Sequence, residues 1–267
     1  MLAKQNIMYI AHGGGPLPLL GDPAHIELNN QLVSMANSIA KPSAILVISA
    51  HWEAQKPTVT AGVSPELIYD YSGFPSEAYS IQYPASGEPA LAAAIVESLQ
   101  KAGIESELDH QRGFDHGVFV PLKLMFPNAD IPVVQLSLVN HLNAELHLII
   151  GEALQSLTWD NLLVIGSGFS FHNMQTFFNP QLDPNSEKNK AFDDWLIETV
   201  HQSSSDQGRE QLTQWQQAPQ ARFCHPREEH LLPLHVCYGM AGRASNKHIE
   251  VSVLNTRASM FHWQPTL

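Results

Sequence analysis

Histidine is as abundant in this chain as lysine and arginine together, fourteen against fourteen, and several of these histidines stand where strands would end. Imidazole is the commonest protein ligand for metals and titrates near neutral pH, so it can hold a cation or move a proton. His12 follows the apolar run Ile7–Ala11 and opens His12-Gly13-Gly14-Gly15-Pro16, where three glycines allow a sharp turn and a close approach to the backbone. His51 ends the run Ala44–Ala50 in Ser49-Ala50-His51-Trp52-Glu53. His172 lies a few residues beyond Leu162–Ile165, in Gly166-Ser167-Gly168-Phe169-Ser170-Phe171-His172-Asn173. His230, in Pro226-Arg227-Glu228-Glu229-His230-Leu231-Leu232-Pro233-Leu234, reads as part of the first turn of a buried helix, where the helix dipole favours the neutral imidazole that binds metal. His116 follows Asp115, a candidate helix cap, in Gly113-Phe114-Asp115-His116-Gly117. Each of these, taken alone, reads equally well as a loop or helix-start histidine bonded to backbone. The chemical reading comes from their recurrence after successive strands. No His-Glu-x-x-His, Gly-x-Ser-x-Gly or phosphate-binding loop occurs in the sequence.

The elements that would carry these residues alternate. Short β-branched runs at Ile7–Ala11, Ala44–Ala50, Val133–Leu138, Leu162–Ile165 and Ile249–Leu254 predict strands. Helices are predicted from Asp22, with Pro23 in the first turn, to about Ala40, and over Ser86–Lys101, Ala144–Leu157, Ser186–Gln202, Arg209–Gln217 and Pro226–Met240. Strands apolar on both faces need helices on both sides. The expected fold is α/β: a single domain over residues 1–267, with a central, mostly parallel sheet flanked by helices. Ligands in such folds bind beyond the carboxyl ends of the strands, where the histidines lie. The polar stretches Asn179–Asn189 and Ser203–Gly208 read as surface loops.

Composition narrows the partners. The 267 residues are 44% hydrophobic and 15% charged, which suits a packed core. A formal charge of −12 repels nucleic acid and anionic membranes, so neither is an expected partner. Two cysteines without a Cys-x-x-Cys fit a reducing compartment. No run of about 18 apolar residues is present, and Ile7–Ala11 is too short for a signal core. The expected location is cytoplasmic. Oligomeric state is not legible.

The ordered motifs AHGGGPLPLL, SAHWE, YDYSGFP, GFDHGVFVPLKLMFP, DIPVVQLSL, GSGFSFHNM and REEHLLPL extend from about Met8 to Thr256. Together they resemble the class III extradiol ring-cleavage dioxygenases of the LigB type, in the branch that opens 4,5-dihydroxyphenylalanine-type catechols. The resemblance implies one divalent non-haem metal, Fe(II) for activity, with Zn(II) a possible occupant of purified protein. It implies metal ligands at His12, His51 and His230, with His172 as acid/base within reach of the metal as a fourth ligand, and His116 facing the substrate. Its small-molecule partners are a catechol and dioxygen, and its product is a ring-opened semialdehyde. Many non-haem iron oxygenases use two histidines and a carboxylate, so Glu229 competes with His230 for the third position. Adjacent helical residues point about 100° apart, and the branch carries histidine there, which favours His230.

Substrate contacts are expected from Arg227, toward a carboxylate, and from Phe74. A solvated helix-start charge competes as the reading of Arg227, and core packing as that of Phe74. Two other functions stand beside the dioxygenase: a zinc hydrolase with His172 or Glu53 as base, and a non-catalytic binding protein on the same fold.

Overall fold

The structure, a computed structural model, describes residues 5–179 and 186–265. The apolar runs form one eight-stranded sheet: β1 (Asn6–Ala11), β2 (Ala44–Ala54), β3 (Thr58–Thr60), β4 (Glu107–Asp109), β5 (Val133–Val139), β6 (Leu162–Gly168), β7 (Lys247–Val253) and β8 (Thr256–Trp263). Their order is β4-β3-β5-β2-β6-β1-β8-β7. The central strands β5, β2, β6 and β1 are mutually parallel, and β1 and β5 are buried almost end to end. Antiparallel pairings join β3 to β5, β1 to β8 and β8 to β7. The fold is α/β with a mostly parallel sheet, as the alternation of runs predicts.

The helices are α1 (Ile26–Asn37), α2 (Pro89–Lys101), α3 (His116–Met125), α4 (Ala144–Leu154), α5 (Met174–Phe178), α6 (Glu187–Ile197), α7 (Ser205–Thr213), α8 (Ala221–Cys224) and α9 (Leu232–Ala241). Asp22 accepts from Ala24 N at 3.1 Å, as expected of a cap, but the turn it opens is a 3-10 helix over Pro23–His25 that runs on into α1. None of the described helices is long and apolar enough to cross a membrane.

Three expectations change. The helix predicted from Pro226 begins only at Leu232. A helix started at Pro226 would place Pro233 in its interior, where the ring removes a hydrogen bond and clashes with the preceding turn. Ser203–Gly208 is not wholly a loop: Ser204 accepts from Gln207 N, and the chain is helical from Ser205. The other polar stretch, Asn179–Asn189, falls partly outside the described residues, and its final residues belong to α6. Three strands were not foreseen: the three-residue β3 and β4, and β8. The last follows β7 through Leu254 and Asn255, both at positive φ (52° and 59°), in a two-residue hairpin turn.

Candidate metal centre

His12 and His51 are delivered by strands of the sheet, and the other histidines of interest by loops and a helix start. His12 leaves β1 with its N–H donating to Gly168 O at 3.2 Å. Beyond it the backbone turns at Gly13, φ +83°, where a Cβ would sit 2.6 Å from Pro18 Cγ and 2.8 Å from His25 Cδ2. His25, absent from the sequence reading, braces this turn: Gly14 N donates to its Nε2 at 3.0 Å, so its Nδ1–H is the donor to Asp22 at 3.1 Å. His51 lies in a bulge of β2, which runs from Ile48 to Glu53 while its partner β5 runs only from Leu136 to Leu138. The extra residues turn the strand end and re-aim its side chains. His116 is the first residue of α3. Asp115 precedes that helix without capping it through its side chain. Its carboxylate instead accepts from Ser49 Oγ (2.7 Å), Arg112 Nη2 (3.2 Å) and Gln135 Nε2. His172 is anchored by its N–H to Cys224 O at 2.9 Å.

His230 sits in the turn before α9 rather than inside a helix. Its carbonyl accepts from the Tyr9 hydroxyl (2.9 Å) and from Phe169 N (3.0 Å), which ties it to β1 and the end of β6. A Cβ on Gly168 would overlap that carbonyl oxygen, so only glycine admits the approach.

These placements bring five imidazoles together. Ring centroids of His12, His51 and His230 are 4.8, 4.9 and 5.2 Å apart. His116 lies 3.9 Å from His51 and 5.4 Å from His12. His172 stacks on His230 at 3.4 Å, with 16° between the planes. Possible ligand atoms of His12, His51 and His116 fall within 4.8 Å of one another, as do those of His172, Glu229 and His230.

Hydrogen bonds define which nitrogen of each ring is free. The Ser167 hydroxyl donates to Gly117 O at 2.5 Å, so its oxygen accepts from His12 Nδ1–H at 3.0 Å. His12 therefore keeps a lone pair on Nε2. The Nε2 of His51 lies 3.0 Å from it, while His51 Nδ1 faces Asp70 Oδ2 at 3.9 Å, an orientation that favours a proton on Nδ1. Two lone pairs facing each other at 3.0 Å repel unless a cation lies between them. Two imidazole nitrogens about 2.05 Å from one metal are separated by about 2.9 Å at right angles and about 3.3 Å at the tetrahedral angle. The donor set fits a divalent metal.

On the other side of the cluster, Glu229 Oε1 accepts from His230 Nδ1 (2.9 Å) and lies 3.1 Å from His172 Nδ1, leaving both Nε2 atoms free. Burial raises the Glu229 pKa, but the bonds from His172 and His230 outweigh it and hold the carboxyl well below the usual range. Burial, reinforced by neighbouring imidazoles, pushes His12 and His51 well below the usual histidine value and His230 down to about 3. The neutral rings that result are the form a metal requires.

Of the two expected substrate contacts, Phe74 is half-buried and packs edge-on against Tyr71 at 5.5 Å, and the Tyr71 ring lies 5.8 Å from that of His116. Arg227 is not a free helix-start charge. Both terminal nitrogens bond the Glu53 carboxylate at 2.6 Å, and Nη1 lies 3.4 Å from Glu229 Oε2. Ser167, Asp70 and Tyr9, and the bonds that Glu229 accepts from His230 and His172, were not singled out by sequence reasoning, although Asp70 and Ser167 lie inside the motifs YDYSGFP and GSGFSFHNM.

Known proteins share this arrangement of sequence and fold. Residues 9–264 match the family described as the catalytic LigB subunit of aromatic ring-opening dioxygenase. A 4,5-DOPA dioxygenase extradiol of Beta vulgaris is 41% identical over 210 residues, covering 78% of this chain and 77% of that protein. One from Portulaca grandiflora is 38% identical over 245 residues, covering 90% and 88%. The dioxygenase tasH of Hapsidospora irregularis is 38% identical over 255 residues, covering 88% and 78%. The crystal structure of an uncharacterized protein from Escherichia coli K12 superposes with a TM-score of 0.75 at 26% identity, over 97% of this chain and 99% of that one.

Proposed function

The chain belongs to the LigB family of aromatic ring-opening dioxygenases, and from that premise we propose that it is a metal-dependent extradiol dioxygenase that opens the ring of a catechol, DOPA-like or related, with dioxygen to give a semialdehyde. The observation that supports the metal dependence is the approach of His12 Nε2, the lone-pair side of that ring, to His51 Nε2 at 3.0 Å. His12, His51 and His230 would hold the metal, with His172 beside them. His230 is preferred to His116 on the resemblance to the family; the ligand atoms of His116 also fall within 4.8 Å of those of His12 and His51, but its ring looks onto Tyr71, where an aromatic substrate can stack. Bound Fe(II) supplies the electron path between an electron-rich diol and triplet dioxygen, which zinc, lacking redox chemistry, cannot provide.

The chain's own residues manage protons and orientation. With its Nδ1–H held on Glu229, His172 offers Nε2 to a substrate hydroxyl. Glu229 then stabilises the imidazolium, which returns the proton as the ring opens. His116, its Nδ1 on Asp70 at 2.8 Å, presents Nε2 as an acceptor for the second hydroxyl. Tyr71 and Phe74 form an apolar wall beside His116. Arg227 meets a substrate carboxylate only by exchanging it for that of Glu53.

The test is anaerobic reconstitution with Fe(II), addition of catechols, admission of air, and measurement of oxygen uptake with the yellow product. Uptake with Fe(II) and none with Zn(II) is expected. Hydrolytic turnover with Zn(II) in the absence of oxygen would replace this function with a hydrolase.

A further inference from the structure

Two carboxylates flank the imidazole cluster, and each faces two rings. Glu229 serves His230 and His172. The other is Asp70, carried by the segment Tyr69-Asp70-Tyr71. Its Oδ1 accepts twice from His116, from the backbone N–H at 3.0 Å and from ring Nδ1 at 2.8 Å. Its Oδ2 lies 3.9 Å from His51 Nδ1. One carboxylate thus grips the backbone and the ring of one histidine and faces the Nδ1 side of another. An ionised carboxylate accepts only, so it selects the Nδ1–H tautomer of His116. The backbone bond fixes the start of α3, so the ring's tautomer and its position are set by the same group. Asp70 is itself held in place, because Tyr69 donates its hydroxyl to Ile81 O and Tyr71 to Ala78 O, each at 2.6 Å.

We propose that Asp70 is a positioning residue, which acts through His116 and holds that ring, and more weakly His51, with Nε2 turned toward the metal centre. The kinetic part of this inference rests on the function proposed above; the tautomer part does not. Carboxylates one step removed from a metal typically change affinity or activity by about 10–100-fold when lost.

The first test uses metal-free protein with 15N-labelled histidine, whose long-range proton–nitrogen correlation spectra report each ring's tautomer; His116→Gln identifies the signal. Wild type and Asp70→Asn, which keeps an acceptor oxygen, are expected to show His116 with its proton on Nδ1. In Asp70→Ala the proton is expected to move predominantly to Nε2. Retention of the Nδ1–H signal in a folded Asp70→Ala protein would overturn the proposal. The second test reads the activity of both variants. In the Fe(II)-loaded enzyme, Asp70→Ala is expected to lower kcat about 10–100-fold with KM within about threefold, Asp70→Asn to lower it less, and Asp70→Ala to have little further effect in a His116→Ala background. Unchanged kcat, or losses that simply multiply, would overturn it. A wild-type protein inactive on catechols that still shows the tautomer change would remove the proposed function and leave the positioning role standing.

Discussion

Ser167→Ala isolates the hydrogen bond that sets the His12 tautomer. The hydroxyl bridges His12 Nδ1–H (3.0 Å) and Gly117 O (2.5 Å), and its surroundings are buried. Without it, a proton left on Nδ1 would be a buried unsatisfied donor, at a penalty of about 1–3 kcal/mol. Metal-free His12 can avoid that by moving the proton to Nε2, where His51 Nε2 at 3.0 Å accepts it. The metal-free protein therefore loses mainly the bond to Gly117 O, about 1 kcal/mol, or about 2–4 °C in Tm for a chain near this size. Metal binding must push the proton back to Nδ1 and carries the full penalty, which corresponds to about 5–150-fold weaker affinity. Thermal melts of the metal-free protein and Zn(II) or Co(II) competition against a chromophoric chelator separate the two effects. Unchanged metal affinity in a folded Ser167→Ala protein would refute the tautomer argument.

Other perturbations follow from the same geometry. His172→Ala should reduce turnover by orders of magnitude while retaining most metal binding, and His12→Ala should lose both; activity and metal content on the same samples check this. Gly168→Ala places a methyl group on the His230 carbonyl, and is expected to lower stability by about 1–3 kcal/mol and to weaken metal binding, read by denaturant melts and the chelator assay. His147 and His235 are buried outside the imidazole cluster, and burial lowers both to about 4. Unfolded histidine titrates near 6.5, so the unfolded chain binds more protons below that value. Stability should be complete above pH 6.5 and fall as pH drops toward 4, by up to roughly 3 kcal/mol for each residue. Gln in place of His147 keeps a donor and an acceptor for Asn143 O and Val139 N and should flatten the slope of denaturant midpoint against pH.

The histidines were legible because strand ends are. Ile7–Ala11 and Ala44–Ala50 are apolar runs broken by His12 and His51, and a parallel sheet gathers such breaks at one edge. Pro233 also carried its information openly: its position disfavours a helix that begins as early as Pro226, yet the apolar run around it outweighed that signal. The bulge in β2 depends on the mismatch with β5 across the sheet, which no local pattern records. Ser167 and Asp70 act on histidines 155 and 46 residues away in sequence. A serine near a strand end or an aspartate in a loop has many local uses, so only the folded chain distinguishes these two. The eighth strand was hidden for a similar reason, since Leu254 and Asn255 form a tight turn without the glycine that usually marks one.

Anomalous scattering from crystals of the Co(II)- or Zn(II)-loaded protein tests most directly whether the imidazoles share one metal, and which of them do. A single peak about 2.0–2.3 Å from Nε2 of His12, His51 and His230 is expected. A peak bound through His116 in place of His230, or no peak among these rings at full metal occupancy, would contradict the proposed centre.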